Sequence, residues 1–166
     1  MKNGKTIAIV PGSFDPITVG HLDIISRAIQ SFDEVIVAVM INDSKKYLFD
    51  IEERTEIVRA AVAEFEGVSV VSSEGMLWQL CRDLEVDAIV KGYRNQVDYE
   101  YEMLMAEYNE EHCPSAKTVL LKSNPSLDHI SSTLVRQKIL GKADLEGLVP
   151  FSVIKKINDI IAADKI

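Results

Sequence analysis

Cysteine is scarce in this chain of 166 residues, which contains only two. Cys81 and Cys113 belong to no CxxC or CxxH grouping, which argues against a structural zinc site and predicts free thiols. Long apolar runs are missing as well, because no stretch approaches the roughly 18–20 residues that a membrane span requires. The first residues, MKNGKTIAIV, lack the apolar region and the cleavage site of a signal peptide. These absences predict a soluble cytoplasmic protein that contacts no membrane and supplies no metal-ligand cluster.

Positive charge is also in short supply, since the formal net charge is −8 at pH 7. A deficit of this size argues against nucleic acid as a partner, because a nucleic-acid footprint normally needs a basic face. A small anionic ligand stays compatible with it, because a pocket is governed by local charge. Several basic residues occur in loop-like places: Lys45, Lys46, Lys91, Arg94, Lys122, Arg136 and Lys138. They either form such a pocket or lie scattered on the surface.

The chain is rich in short β-branched runs that alternate with helical patterns. Five runs predict strands, and four of these are nearly all apolar, as in a covered parallel sheet: KTIAIV, DEVIVAVM, GVSVVS, VDAIVKG and KTVLLKS. Four helical patterns lie between the strands, and two more, SSTLVRQKIL and PFSVIKKINDIIAAD, close the chain. No repeat or linker interrupts them, so we expect one domain over residues 1–166. The alternation predicts an α/β fold with a doubly wound, five-stranded parallel sheet.

The loop after the first strand, VPGSFDPITVGH, is unusually rich in proline, glycine and polar residues. In doubly wound sheets, ligands lie beyond the carboxyl ends of the strands, so such loops are the candidate sites. Gly12 allows close backbone approach, and Ser13 offers a hydroxyl. His21 opens a helix, where unpaired N–H groups and the helix dipole favour anions. The pattern predicts a phosphate site; alternatively, the loop is a stiff surface turn in which His21 caps its own helix.

A second hydroxyl-rich segment, HISSTLVRQ, begins one of the closing helices. Ser131, Ser132 and Thr133 lie at the helix start, where hydroxyls and free N–H groups can cradle phosphates. The same residues would also serve as an ordinary N-cap. Arg136 lies one turn further on, either within reach of a phosphate or as a solvated side chain.

Thr18, Gly20 and His21 form the TxGH signature of the nucleotidyltransferase superfamily. Around it, PGSFDPITVGH closely resembles the family of bacterial phosphopantetheine adenylyltransferases. Four more blocks follow in the order of that family and extend the resemblance over nearly the whole chain: NDSKKYLF, FDIEERTEIV, VKGYRNQVDYEYEM and HISSTLVRQ. The resemblance implies a Rossmann-like fold and transfer of an adenylyl group from ATP to 4′-phosphopantetheine, which gives dephospho-coenzyme A and pyrophosphate. It also implies direct in-line attack by the acceptor phosphate, without a covalent enzyme intermediate.

Two other functions stay open beside this one. A related nucleotidyltransferase would use another phosphate acceptor, such as glycerol 3-phosphate or nicotinamide mononucleotide. A non-catalytic nucleotide-binding module would have kept the fold alone. Lys45, together with the segments KGYR and DYEYE, favours 4′-phosphopantetheine as the acceptor, because these blocks are specific to that family. The presence of all the basic and hydroxyl positions argues against a non-catalytic module.

The resemblance implies roles for single residues. His21 would bind the α-phosphate, Lys45 the acceptor phosphate and Arg94 the ATP phosphates, so these three are the expected catalytic residues. The further ATP-binding positions are Ser13, Phe14, Gly92, Tyr93, Glu102, Leu127, Asp128, His129, Ile130, Ser131, Ser132 and Thr133. The expected acceptor site comprises Ser13, Lys45, Leu77 and Lys91.

Some of these positions depart from the family or have a plainer alternative. Ser13 replaces the threonine of most relatives but keeps the hydroxyl. Lys91 replaces the arginine of many relatives, so it keeps the charge and loses the two-pronged geometry. Leu77 is equally compatible with the core. Glu102, like the acids at 98 and 100, would also simply favour the positive end of a helix.

The resemblance further implies a Mg²⁺ ion held mainly by ATP phosphates and water, and a homohexamer built as a dimer of trimers. The run Met103, Leu104, Met105 and Tyr108 is compatible with helix packing or with a subunit contact. The protonation of His21 is left open, because a helix N-terminus disfavours the imidazolium whereas nearby phosphates favour it.

Overall fold

Five parallel strands form the central sheet of the computed structural model, which describes residues 3–164. The strands are β1 (Ile7–Gly12), β2 (Glu34–Met40), β3 (Val68–Ser73), β4 (Ala88–Tyr93) and β5 (Lys117–Lys122). They lie in the order β3-β2-β1-β4-β5, so the doubly wound sheet predicted from the sequence is confirmed. The strand order reverses between β1 and β4, and a ligand crevice is expected there.

The helices match the predicted helical patterns. Between residues 3 and 164 they are α1 (Val19–Ser31), α2 (Ile51–Val62), α3 (Leu77–Asp83), α4 (Gln96–His112), α5 (Ser132–Leu140) and α6 (Phe151–Asp164). A short 3-10 turn, Pro125–Leu127, follows β5. Asp50 caps α2: its carboxylate accepts the Glu53 N–H at 2.8 Å, and the Glu53 carboxylate accepts the Asp50 N–H at 3.0 Å.

The core forms two apolar layers, one on each face of the sheet. Ala8 and Val10 of β1 pack with α1, α2 and α6, whereas Ile7 and Ile9 pack with α3 and with Cys113, which follows α4. As expected, β1, β2 and β4 bury apolar side chains on both faces of the sheet. β5 does not, because its Val119 is 37% exposed. β5 is an edge strand with one neighbour, so helices cover less of it.

The cysteines are free, as predicted, and both are buried. Burial, with the nearby Cys113 as a smaller cause, raises the pKa of Cys81 to about 12, so this thiol stays protonated. Over the described residues, no helix is both long and apolar enough to cross a bilayer. In the same part of the chain, no three histidine, cysteine or acidic side chains lie together in a group suited to a metal ion.

Candidate active site

A cleft of about 440 Å³ opens at the carboxyl ends of β1 and β4. Its lining comes from the loop after β1 with the start of α1, from β4 with the start of α4, and from residues 123–132. A second recess adjoins it, and Phe14, His21, Lys45 and Ser132 line both spaces. The cleft therefore lies where the strand order reverses, at the place that the fold predicts.

Most of the predicted site residues line these two spaces. The cleft contains Phe14, His21, Lys45, Lys91, Gly92, Tyr93, Arg94, Glu102, Leu127, Ile130, Ser131 and Ser132. Ser13 and Thr133 line the adjoining recess, together with Arg136. The fold thus gathers into one place residues as distant in the sequence as Ser13 and Thr133, as expected for loops at one edge of a parallel sheet.

Three predicted residues lie outside the lining of both spaces. Leu77, at the start of α3, packs against the second core layer, which is its plainer alternative. Asp128 accepts a hydrogen bond from the Ser123 hydroxyl and thereby stabilises the turn after β5. His129 is exposed. Contacts of these three with a substrate stay predictions.

His21 caps its own helix and faces the cleft at the same time. The Thr18 N–H donates to the His21 Nδ1 at 2.9 Å, and the His21 N–H donates to the Thr18 hydroxyl oxygen at 3.4 Å. Because a backbone N–H can only donate, Nδ1 is the acceptor and the proton of the neutral ring lies on Nε2. The Phe14 ring meets the imidazole edge to face, with the centroids 5.0 Å apart, and restrains its orientation. His21 can therefore cap its own helix and still face a phosphate site.

The surroundings of His21 favour the neutral imidazole. Burial and, to a smaller extent, the positive charge of Arg94 lower its pKa from 6.5 to about 4. Near pH 7 the ligand-free protein therefore presents Nε2–H as a neutral hydrogen-bond donor. Of the two charge states that the sequence left open, the ligand-free structure therefore favours the neutral ring.

Position 12 in the loop after β1 must be glycine because of the Phe14 ring, and not because Gly12 has a positive φ. Phe14 has a left-handed φ of 49° and a buried ring. This ring lies so close to Gly12 that a Cβ at that position would be 2.9 Å from the Phe14 Cζ. Glycine is therefore required here by side-chain packing, in addition to the open backbone that the sequence predicted.

Two cations of the cleft, Lys91 and Arg94, pair with acids of α4. The Lys91 ammonium lies 2.8 Å from a Glu102 carboxylate oxygen. The Asp98 carboxylate accepts the Arg94 N–H at 3.2 Å and lies 3.4 Å from the Arg94 Nε. Asp98 thus fits the plainer helix-start alternative, while Glu102 faces the cleft and pairs with a predicted ligand of the acceptor. Lys45 is exposed.

The start of α5 faces the same cleft as the start of α1. Ser131 is the N-cap, because its hydroxyl oxygen accepts the Leu134 N–H at 3.1 Å. The Ser132 hydroxyl donates to the Pro16 carbonyl at 2.8 Å and ties α5 to the loop after β1. Both serines line the cleft, so two helix N-termini direct their positive ends toward one cavity. Such an arrangement suits a ligand with several negative charges.

Two buried charged residues support the site loops and were not predicted from the sequence. The Asp15 carboxylate accepts the backbone N–H groups of Leu48 and Phe49 at 2.9 and 3.0 Å. Arg136 is not simply solvated, because it donates to the Asp15 carbonyl at 2.9 Å. Arg54 is 1% exposed within α2. Several of these contacts join residues 33 to 121 positions apart, so the local sequence carries little sign of them.

Comparison with known proteins agrees with this geometry. The model of the cytidylyltransferase-like family matches residues 9–138, so the chain belongs to that family of nucleotidyltransferases. Phosphopantetheine adenylyltransferase of Streptomyces coelicolor is 45% identical over 152 residues, which cover 92% of this chain and 95% of the relative. The enzymes of that name from Nocardioides sp. and Clostridium novyi are 44% identical over 158 residues (95% and 99% coverage) and 43% identical over 151 residues (91% and 94% coverage). Within the larger family, the chain is thus a member of the phosphopantetheine adenylyltransferases.

The environment of His21 makes a direct prediction about its titration. We expect the ring resonances of His21 in the ligand-free protein to titrate near pH 4 in an NMR experiment, with His21→Gln used to assign them. Between pH 4 and 6.5 the unfolded chain binds a proton that the folded protein excludes, so the free energy of unfolding should fall as the pH drops through this window. His21→Gln should lose that part of the pH dependence. Titration of His21 near 6.5 would contradict the lowered pKa.

Proposed function

We propose that this protein transfers the adenylyl group of ATP to 4′-phosphopantetheine, giving dephospho-coenzyme A and pyrophosphate in the cytoplasmic synthesis of coenzyme A. The relatives that share over 40% of its sequence are named for this activity. One structural observation supports it above others: the starts of α1 and α5 line one cleft together with the Nε2–H face of His21. This arrangement suits two phosphorylated molecules that must meet.

His21 is proposed to stabilise the transition state. Its Nε2–H would donate to a non-bridging oxygen of the α-phosphate, where negative charge grows as the phosphorus becomes pentavalent. The hydrogen bond from Thr18 to Nδ1 holds the proton on Nε2 before any substrate binds. No general base is needed, because the attacking acceptor phosphate is already an anion. The main task of the site is then to align two polyanions and to offset their charge.

Lys45 is proposed to bind the acceptor phosphate, because it lines both the cleft and the adjoining recess that contains Ser13. Lys91 is the second candidate on this side, at a position where many relatives carry arginine. Its ion pair with Glu102 offsets part of its charge, so a bound phosphate would have to share this lysine with the carboxylate. We therefore expect Lys91 to bind the acceptor phosphate more weakly than Lys45 does.

The nucleotide is proposed to occupy the side formed by β4 and α5. Arg94 at the end of β4 and the N–H groups at the start of α5 would bind the ATP phosphates. Leu127 and Ile130 also line the cleft and would offer apolar contact for the adenine. Phe14 packs edge to face against His21 and would lie beside the nucleotide.

Magnesium is proposed as the cofactor, and the residues of the cleft fit an ion that enters with ATP. The three acids of the cleft lie next to cations of the protein: Glu102 beside Lys91, Asp98 beside Arg94, and Asp23 beside Arg27. None of them is placed in a group suited to a metal within the described residues, so phosphate oxygens and water would supply the ligands. Bound in this way, Mg²⁺ would offset phosphate charge.

A homohexamer is proposed as the functional assembly. Support comes from α4, where the run that the sequence left between helix packing and subunit contact is solvent-exposed in the single chain. The exposed fractions are 39% for Met103, 66% for Leu104, 36% for Met105 and 38% for Tyr108. Apolar side chains grouped on one helix favour a contact with another subunit.

The acceptor distinguishes this proposal from a related nucleotidyltransferase. Purified protein with ATP, Mg²⁺ and 4′-phosphopantetheine should release pyrophosphate and form dephospho-coenzyme A, measured by a coupled assay and by mass spectrometry. Nicotinamide mononucleotide with ATP, and glycerol 3-phosphate with CTP, serve as alternative substrate pairs. Turnover only with one of these pairs would show that the acceptor has been assigned wrongly.

His21 and Lys45 are proposed to act on different phosphates, so variants of the two residues should have different defects. His21→Ala should lower kcat by about 10²–10³ with little change in ATP binding, as for the loss of one donor to a developing negative charge. Lys45→Met should raise the KM for 4′-phosphopantetheine about tenfold or more, and change the KM for ATP far less, since it removes a charge-assisted hydrogen bond to the acceptor. Lys5→Met, at the opposite end of β1, is the control. Equal effects of Lys45→Met on both KM values would contradict the assignment.

A further inference from the structure

Arg54 is a charged residue in a position where an apolar one would be expected. It lies on α2 and is 1% exposed, the largest of the fully buried side chains. Arg59, one and a half turns later on the same helix, has a side chain that is 58% exposed. Burying a guanidinium is costly unless hydrogen bonds compensate for the lost water. The contacts of Arg54 therefore indicate what it does in the structure.

The guanidinium of Arg54 joins three backbone segments. Its Nη1 donates to the Ser13 carbonyl at 2.7 Å and to the Met40 carbonyl at 3.0 Å. Its Nε donates to the Phe49 carbonyl at 3.1 Å. Ser13 belongs to the loop after β1, whereas Met40 and Phe49 lie at the two ends of the loop that carries Lys45, residues 41–50. The Arg54 side chain thus links the two ends of the 41–50 loop to each other and to the loop after β1.

Tyr47 extends the same support toward Lys45. Its ring lies against Arg54, with the guanidinium carbon 3.9 Å from the ring centroid. The Tyr47 hydroxyl accepts the Asn42 N–H at 2.6 Å, and the Asn42 carbonyl accepts the Lys45 N–H at 2.9 Å. A chain of contacts therefore runs from Arg54 through Tyr47 and Asn42 to the backbone of Lys45.

Arg54 acts on one side of the active site and not on the other. It does not line the cleft or the adjoining recess, so it would act through other residues. Its hydrogen bonds go to the segments of Ser13 and Lys45, which the proposed function assigns to the acceptor. The nucleotide side is formed by β4 and α5, and none of these bonds reaches it.

We propose that Arg54 is a positioning residue that sets the place of Lys45 relative to Ser13 and thereby the affinity for the acceptor phosphate. This inference rests on the proposed function, because it needs Lys45 to bind the acceptor. Without the guanidinium, the 41–50 loop loses its links at Met40 and Phe49, although Leu48 and Phe49 still donate to Asp15. Lys45 is then held less firmly relative to the loop after β1. The KM for the acceptor should then rise while the KM for ATP stays nearly constant.

Arg54→Lys tests this proposal, since an ammonium keeps the charge but cannot span three carbonyls or stack on Tyr47 as a planar fork does. We expect the KM for 4′-phosphopantetheine to rise about tenfold and the KM for ATP to change less than about twofold, as misplacement of a positioning element predicts. Arg59→Lys, on the exposed face of α2, should leave both values unchanged. Equal rises in both KM values, or a lower melting temperature with unchanged KM values, would overturn the positioning role.

Tyr47→Phe decides the question where Arg54→Lys fails to fold. It keeps the ring on the guanidinium and removes only the hydroxyl that holds Asn42, so we expect an unchanged melting temperature and a rise in the acceptor KM of about threefold. An unchanged acceptor KM would count against the proposal. A wild-type protein that releases no pyrophosphate with 4′-phosphopantetheine would overturn the proposed function itself. Active wild type with unaffected variants would overturn the positioning role alone.

Discussion

The hydrogen bond from the Thr18 N–H to the His21 Nδ1 is the interaction on which the active site depends. It is an ordinary capping contact at the start of α1, yet it decides which nitrogen of the imidazole carries the proton. Burial and the Arg94 charge keep the ring neutral, so the cap and the low pKa lead to the same donor at Nε2. A helix start that already favours anions thereby gains a directed donor without an added charge.

The protein is acidic as a whole and must still bind two polyanions. Its formal net charge is −8, but the starts of α1 and α5 and a few basic side chains meet at one cleft. Asp98 and Glu102 restrain Arg94 and Lys91 there, so these cations are placed before a ligand arrives. Positioned charges of this kind lose little in reorganisation during the reaction.

The strands and the helices could be predicted from the residues themselves, because they depend on local patterns, whereas most residues of the cleft were expected from the resemblance to the family. β-branched runs, apolar stripes and the glycine-rich turn after β1 can be identified within about twenty residues. The supporting contacts could not be predicted in this way. Arg54 meets Ser13 from 41 positions away, and Asp15 meets Phe49 from 34, so only the folded chain brings them together. Leu77 illustrates the same limit, because its periodicity suited the core and the substrate site equally.

The most direct test of the central claim is a crystal structure with dephospho-coenzyme A bound, since this product joins the nucleotide and acceptor halves of the site. A phosphate oxygen should lie about 3 Å from the His21 Nε2, a normal hydrogen-bond distance, with the adenylate between the starts of α1 and α5. An adenylate bound elsewhere, with both helix starts facing away from it, would contradict the claim.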